Sequence, residues 1–463
     1  MSDQSIAHPY IPNSDPKIMQ QMLKDVGVKD LEELLTVIPE RLRLKRSLRI
    51  PSAMAAENDL SRHVESILSK NTSCKDFLNF LGAGCSQHFV PAICDAIGQR
   101  QEFLSAYEGD TYSDLGKWQA LFEFQSLLGE LLSMDVVSFP GYDGASASGF
   151  AIRMTQRITG RDEVLVPENL SLEKLSIFRN MAHGSKFVQI AYERKTGAID
   201  LEDLKNKISK STSAVYFENP SFFGTIEGQG EEISEIAHSA GAEVIVAVDP
   251  LTLGVLAPPN DYGADITCGD LQPLGLHMQY GGGLAGFIAS RDEQKYVAEY
   301  PSWLVSITRT TNEGEYGFGL SSSKRTHYIQ REKGKDFTGT GTALFGILAG
   351  VYLALLGPKG IKAIGETILE NSHYAARKLC SIQGIKLQFG PEFFKEFVVN
   401  FKLSRKNVKS INKVLFKQKI FGGYDLSNDF KELSGCALYS VTEVHTKDDI
   451  DRLAGSVKEA VKH

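Results

Sequence analysis

The sequence predicts an α/β fold, a mostly parallel sheet covered by helices on both faces and followed by a smaller α/β block. Three observations predict it. From about residue 75, short β-rich runs alternate with helical ones. Those runs are almost continuously apolar, as strands buried on both faces must be. The 463 residues are also enough to bury a sizeable core.

The first 72 residues read as a helical arm. Asp15–Val26 and Asp30–Ile38 are short amphipathic helices separated by Gly27, and Glu57–Leu68 resumes the pattern after Pro39, the basic run Arg41–Arg46 and Pro51. A leader this short holds no large core, so it is expected to wrap over the main domain or a partner. A large domain over 73–345 follows. Its helices are expected at Pro91–Arg100, Lys117–Leu132, Ala145–Arg157, Leu172–His183 and Glu231–Gly241, and its strands at Val136–Phe139, Glu163–Val166, Lys186–Ile190, Ala214–Phe217 and Glu243–Val248. Three glycines after Tyr280 turn the chain into a further strand, Leu284–Ala289. Ser302–Gly319, rich in threonine and glycine, reads as irregular, and the apolar helix Ala343–Leu356 stops at Gly357-Pro358. The smaller domain, 346–463, carries helix Ile361–Ser381, strands near Ile385–Phe389, Glu396–Phe401 and Cys436–Val441, and helices Ser404–Phe416 and Lys447–Lys462.

Composition narrows the function. Fifty basic against 57 acidic residues give a net charge of -7 with no long run of either sign, which argues against a nucleic-acid or anionic-membrane surface. The six cysteines, Cys74, Cys85, Cys94, Cys268, Cys380 and Cys436, lack metal-ligand spacing and suit a reducing compartment, so no metal and a cytoplasmic location are expected. Met1-Ser2-Asp3-Gln4 opens a polar segment rather than a secretory peptide, and no stretch is expected to reach membrane-spanning length.

Several positions have both a chemical and a structural reading. Asp249 closes strand Glu243–Val248, where open α/β sheets bind ligands. In pyridoxal-phosphate enzymes an aspartate there pairs with the pyridine nitrogen; otherwise it caps the next loop. The same chemistry needs a lysine some 20 to 30 residues on, yet no lysine lies between Lys210 and Lys295, and Gln272-Pro273-Leu274-Gly275 stands in that region. This chain therefore cannot form the covalent link there. Gly82-Ala83-Gly84 before His88 is an anion contact or a tight turn. Gly141–Ala147, with Tyr142 and Ser146, receives a phosphate or simply starts a helix. Phe222 and Phe223, after Asn219-Pro220-Ser221, stack on a ring, fill a partner's groove or join the core. Lys324, Arg325, Arg331 and Lys333 around His327 form a solvated face or a docking surface for an acidic partner.

Stretches along nearly the whole chain carry a family resemblance: Tyr10-Ile11-Pro12-Asn13, Ile38–Arg43, Phe80–Gly84, Phe122-Glu123-Phe124-Gln125, Tyr142–Ala145, Asn219–Gly224, Val248-Asp249-Pro250, Gln272–Gly275, Arg331-Glu332-Lys333, Tyr352–Gly357 and Thr442-Glu443. The sequence resembles the alpha chain, subunit 1, of two-subunit glycine decarboxylases, the P-protein of the glycine cleavage system. That resemblance implies a fold-type I, aspartate-aminotransferase-like subunit that pairs with a homologous beta chain. The beta chain would hold the lysine and pyridoxal phosphate; this chain would hold no cofactor. Glycine is the implied substrate, and the lipoyl carrier, the H-protein, the acceptor of its aminomethyl group. The beta-chain lysine motif aligns with Asp270-Leu271-Gln272-Pro273, placing Pro273 at the lost lysine. By the same comparison Asp249 would floor an accessory cleft, Tyr142 and Ser146 would line its cofactor side, and His88, Tyr107, Tyr112, Arg325 and Arg331 would face the entrance or the partner. Three loops depart from the family: Tyr107–Trp118 is shorter, Pro301-Ser302-Trp303 loses an arginine, and Gly334–Thr342 is glycine-rich. Loops carry binding, so a diverged subunit acting on another amine or amino acid, or a non-catalytic binding protein, are the alternatives.

Overall fold

The computed structural model describes residues 10–11, 13–54, 56–104, 115–281, 285–321, 331, 334–338 and 341–462. The chain divides into two compact units, Met1–Thr72 and Ser73–His463. The first holds α1 (Pro16–Val26), α2 (Leu31–Leu35) and α3 (Glu57–Leu68). Asp15 starts α1 by accepting the backbone N–H groups of Lys17 and Ile18, and Gly27 at φ 81° ends it in the left-handed conformation that glycine adopts without strain. Asp30 caps α2 through the N–H of Glu33.

The second unit runs β1 (Leu78–Asn79), α4 (Ala92–Gly98), α5 (Leu115–Leu132), β2 (Val136–Val137), α6 (Gly144–Thr159), β3 (Glu163–Pro167), α7 (Leu172–Met181), β4 (Lys186–Ile190), α8 (Leu201–Lys207), β5 (Thr212–Asn219), α9 (Gly230–Ser239), β6 (Glu243–Val248), β7 (Ile266–Asp270), β8 (Gly286–Ser290) and α10 (Gln294–Val297). Beyond these lie β9 (Leu304–Arg309), β10 (Tyr316–Ser321), α11 (Ala343–Cys380), β11 (Lys386–Leu387), β12 (Glu396–Asn400), α12 (Val408–Lys417), β13 (Ile420–Phe421), β14 (Tyr424–Asp425), β15 (Cys436–Ser440) and α13 (Lys447–Lys462). Among the described residues the main sheet has the order β2-β8-β7-β6-β5-β3-β4. It is parallel from β7 to β4 and antiparallel at β8 and β2.

Both faces of this sheet are covered, and the continuous apolar strands divide between them. Val244, Val246 and Val248 of β6 pack in one core with Phe124, Leu128, Tyr352 and Leu353. Ile245 and Ala247 face the opposite core, with Ala151, Ile152 and Phe178. Each valine or isoleucine withdrawn from water this way contributes roughly 1.5–3 kcal/mol. A second sheet, β11-β12-β15-β14, is antiparallel. One face buries Phe397 and Val399 against α12, α13 and the end of α11; the other buries Val398 and Leu438 against Phe223.

Two expectations change. Ser302–Gly319 is not irregular: β9 and β10 pair as an antiparallel hairpin, with Leu304 opposite Ser321 and Val305 opposite Leu320. Val305, Phe318 and Leu320 pack with Trp118 and Leu121, and this burial outweighs the low strand propensity of the glycines. The stop expected at Gly357-Pro358 is present as a non-helical break at Gly357 (φ 58°, ψ -175°), and the two helices it separates run on as α11, which serves both sheets. That helix is long and apolar enough to cross a membrane, contrary to expectation. Ile347, Ala349, Tyr352 and Leu353 bury it in the core instead.

Candidate functional site

At the carboxyl ends of β5, β6 and β7 lies a cavity of about 340 Å³, where open α/β sheets take their ligands. β5 and β7 deliver Glu218 and Asp270 to it, and Asp249 follows directly on β6; Lys395 just before β12 and Glu396, its first residue, enter from the second sheet, and α7 delivers Lys174. Pro273 also lines it.

Each carboxylate oxygen of Asp249 has a partner within the protein. One carboxylate oxygen accepts the N–H of Leu251, 3.0 Å away, which starts a 3-10 turn at Pro250. The other meets the Lys395 ammonium at 2.5 Å. Burial works against its charged form, yet Lys395 and His88 hold the Asp249 carboxyl below the usual carboxylate range. Burial likewise opposes the Lys395 ammonium, but Asp249 and Glu396 keep that amine above its ordinary value. It is therefore protonated and not a nucleophile.

The same ammonium lies 3.5 Å from His88 Nε2, whose Nδ1 is 2.9 Å from a Glu443 oxygen. Facing the Glu443 carboxylate, Nδ1 is a ring nitrogen that carries a proton. The other Glu443 oxygen accepts the N–H of Phe89 at 2.8 Å. Asp249, Lys395, His88 and Glu443 thus form one continuous polar chain.

The second charged group surrounds the start of α6. Asp143 caps that helix by accepting the N–H of Ser146 at 2.7 Å. Asp270, at the end of β7, accepts the N–H of Gly144 at 3.0 Å and that of Gln272 at 2.8 Å. Burial lifts the Asp270 carboxyl to about 6, against the pull of these two donors. Lys174 is ion-paired with Glu218, which also accepts from Tyr216 at 3.1 Å. The Cys85 thiol, which also lines the cavity, is pushed up to about 11 by burial.

Pyridoxal phosphate does not fit these residues. Phosphate would need the helix start that two carboxylates occupy, the ring nitrogen would need an Asp249 oxygen already held, and a proline offers no amine. No step through the cofactor follows from this chain.

The family model for the glycine cleavage system P-protein matches residues 8–456. The chain belongs to this family. Its P-protein relatives include a probable glycine dehydrogenase (decarboxylating) subunit 1 of Staphylothermus marinus, 38% identical with 98% of each chain covered. The like-named protein of Saccharolobus solfataricus is 37% identical with the same coverage. A crystal structure of glycine decarboxylase (P-protein) of the glycine cleavage system, in inhibitor-bound form, is similar at a TM-score of 0.84 and 31% identity, covering 98% of this chain and 100% of that one. A Burkholderia pseudomallei sphingosine-1-phosphate lyase shares the fold at a TM-score of 0.64 and 15% identity, covering 92% and 95% of the two chains.

Within this P-protein chain the expected site residues separate. Asp249 and Pro273 line the cavity. Tyr142 is 47% exposed and lies off the lining, and Ser146 is spent, through its backbone, on the helix cap. His88, expected to face the entrance or the partner, is 7% exposed and held inside by Lys395 and Glu443. Phe223 is in the core, while Phe222 lines the cavity. Arg331 is exposed. Tyr107, Tyr112 and Arg325, with Lys324, His327 and Lys333, lie outside the described residues. In the divergent Gly334–Thr342 stretch, Asp336 is held at 2.6 Å by both Arg153 and Arg157, and Lys335 by Glu299. Lys395, Lys174 and Glu218 were missed, because nothing local marks a residue whose partner is 44 or 146 positions away. Asp270 and Glu443 stood inside quoted motifs and could have been singled out.

Proposed function

We propose that this chain is the cofactor-free subunit of a two-subunit glycine decarboxylase, of fold-type I architecture, working in the cytoplasm with a homologous beta chain. The observation that carries the reading is a cleft in the cofactor position filled by its own ion pairs, in a chain matched to the P-protein family over nearly its whole length. The beta chain holds pyridoxal phosphate, which supplies the electron sink for loss of carbon dioxide from glycine, and the lipoyl arm of the H-protein accepts the aminomethyl group.

This chain's share is positional. Its sheets brace the partner, and its loops help to exclude water from the partner's site. Arg325 and Arg331, with Tyr107 and Tyr112, are assigned to the entrance or the partner-facing side.

Absorbance in the coloured-cofactor band tests this on the purified chain, on its complex with the genomic beta chain, and on that complex with glycine. A colourless chain and a yellow complex whose spectrum responds to glycine are expected. A yellow isolated chain overturns the cofactor-free assignment, and a yellow complex indifferent to glycine but responsive to another amine overturns the substrate.

A further inference from the structure

We infer that the cleft is closed to pyridoxal phosphate by two internal charge plugs, Asp270 at the start of α6 and Lys395 on Asp249, and not only by the loss of the lysine at Pro273. This deepens the proposed function by naming the residues that make the site refuse the cofactor.

The first plug is anionic. A helix start binds phosphate through free backbone N–H groups and the positive end of the helix dipole. Here the Gly144 N–H is taken by Asp270 and the Ser146 N–H by Asp143, at 3.0 and 2.7 Å. An incoming phosphate would have to displace Asp270 and then lie beside both carboxylates. Like charges brought together there oppose binding.

The second plug is cationic. A pyridinium ring is held when its N–H meets an unengaged carboxylate. The Lys395 ammonium already occupies that oxygen of Asp249 at 2.5 Å, and the N–H of Leu251 occupies the other. Lys395 cannot swing away without abandoning a buried carboxylate, and His88 and Glu443 brace it from behind. Each end of the cofactor thus meets a protein group of its own charge, phosphate against Asp270 and pyridinium against Lys395. Restoring the amine corrects neither.

The test uses the chain co-expressed with its beta partner and locates the cofactor by peptide mapping after borohydride treatment. A lysine amine condenses with the cofactor aldehyde, releasing water, and borohydride supplies the hydride that fixes the carbon–nitrogen bond as a stable phosphopyridoxyl adduct. Pro273→Lys alone is expected to leave the position-273 peptide unlabelled while the beta chain stays labelled. The combination Pro273→Lys, Asp270→Asn and Lys395→Met is expected to label that peptide at a level at least ten times higher. Labelling by Pro273→Lys alone to one per chain overturns the inference, as does a folded, complex-forming triple variant that stays unlabelled.

Should the triple variant not fold, Asp270→Asn alone decides. It removes the anionic plug alone, so it is expected to bind inorganic phosphate, which has no ring to meet Lys395, with a calorimetric signal that the parent lacks, and a folded variant that binds no phosphate overturns the inference. Failure of the proposed function looks different: the parent chain itself would carry an adduct, or the parent complex would ignore glycine.

Discussion

Lys395 is the residue on which the cleft depends. Cutting it to methionine leaves the Asp249 carboxylate buried with Leu251 and a distant His88 as its remaining partners. Breaking a buried pair from one side typically costs about 3–5 kcal/mol, so Lys395→Met is expected to lower the unfolding free energy by that order in denaturant titration. A loss below about 1 kcal/mol would mean that the pair is open to water. Asp270 gives a pH signature of opposite sign to an ordinary ion-paired carboxylate. Its folded value of about 6 lies above the roughly 3.9 of an unfolded chain, so the native state holds the proton more tightly. Its cost is absent below about pH 4, grows as pH rises, and is complete above about pH 6, on the order of 3 kcal/mol. Asp270→Asn is therefore expected to be more stable than the parent near pH 8 and not near pH 4, as read from melting at the two pH values. Equal gains at both would assign the effect to something other than this charge.

The elements show what could be read from sequence and what could not. Strand Glu243–Val248 and helix Lys447–Lys462 appear where periodicity puts them, because each is long and its apolar pattern is unbroken. The β9–β10 hairpin was hidden by its glycines and threonines, since its strand character comes from burial of alternate residues against α5. The two-residue strands β1 and β13 pair in parallel across more than 300 positions, a contact with no local trace. The site divides the same way. The missing amine was legible because absence of a residue type is a fact of composition, whereas the ion pair that replaces the ligand joins residues of different sheets. The turn after β5 offers a test at this scale. Gly224 has φ +82°, and a Cβ there would stand 1.9 Å from the Glu396 carbonyl oxygen. Gly224→Ala is expected to cost about 3 kcal/mol or more, combining left-handed strain with displacement of β12. A denaturation midpoint close to the parent's would show that β12 can move aside.

Across the whole molecule, α11 and the polar chain from Asp249 to Glu443 connect the two sheets of the 73–463 unit. That connection predicts cooperative loss of both sheets rather than early release of the smaller one. Hydrogen exchange should give Val246 of β6 and Val399 of β12 opening free energies that agree within about 1 kcal/mol. A ligand that binds only the folded state raises its melting temperature. The purified chain, with both ends of the cofactor position filled by its own charges, is expected to melt at the same temperature with and without millimolar pyridoxal phosphate. A rise of several degrees would require a cofactor site after all. The pairing of Lys395 with Asp249 has a further consequence for the cell. An enzyme whose buried carboxylate waits for a vitamin-derived cation has apo chains that are vulnerable until the vitamin arrives. This chain carries that cation in its own sequence, so its maturation and lifetime should be indifferent to vitamin B6 starvation while those of its partner are not.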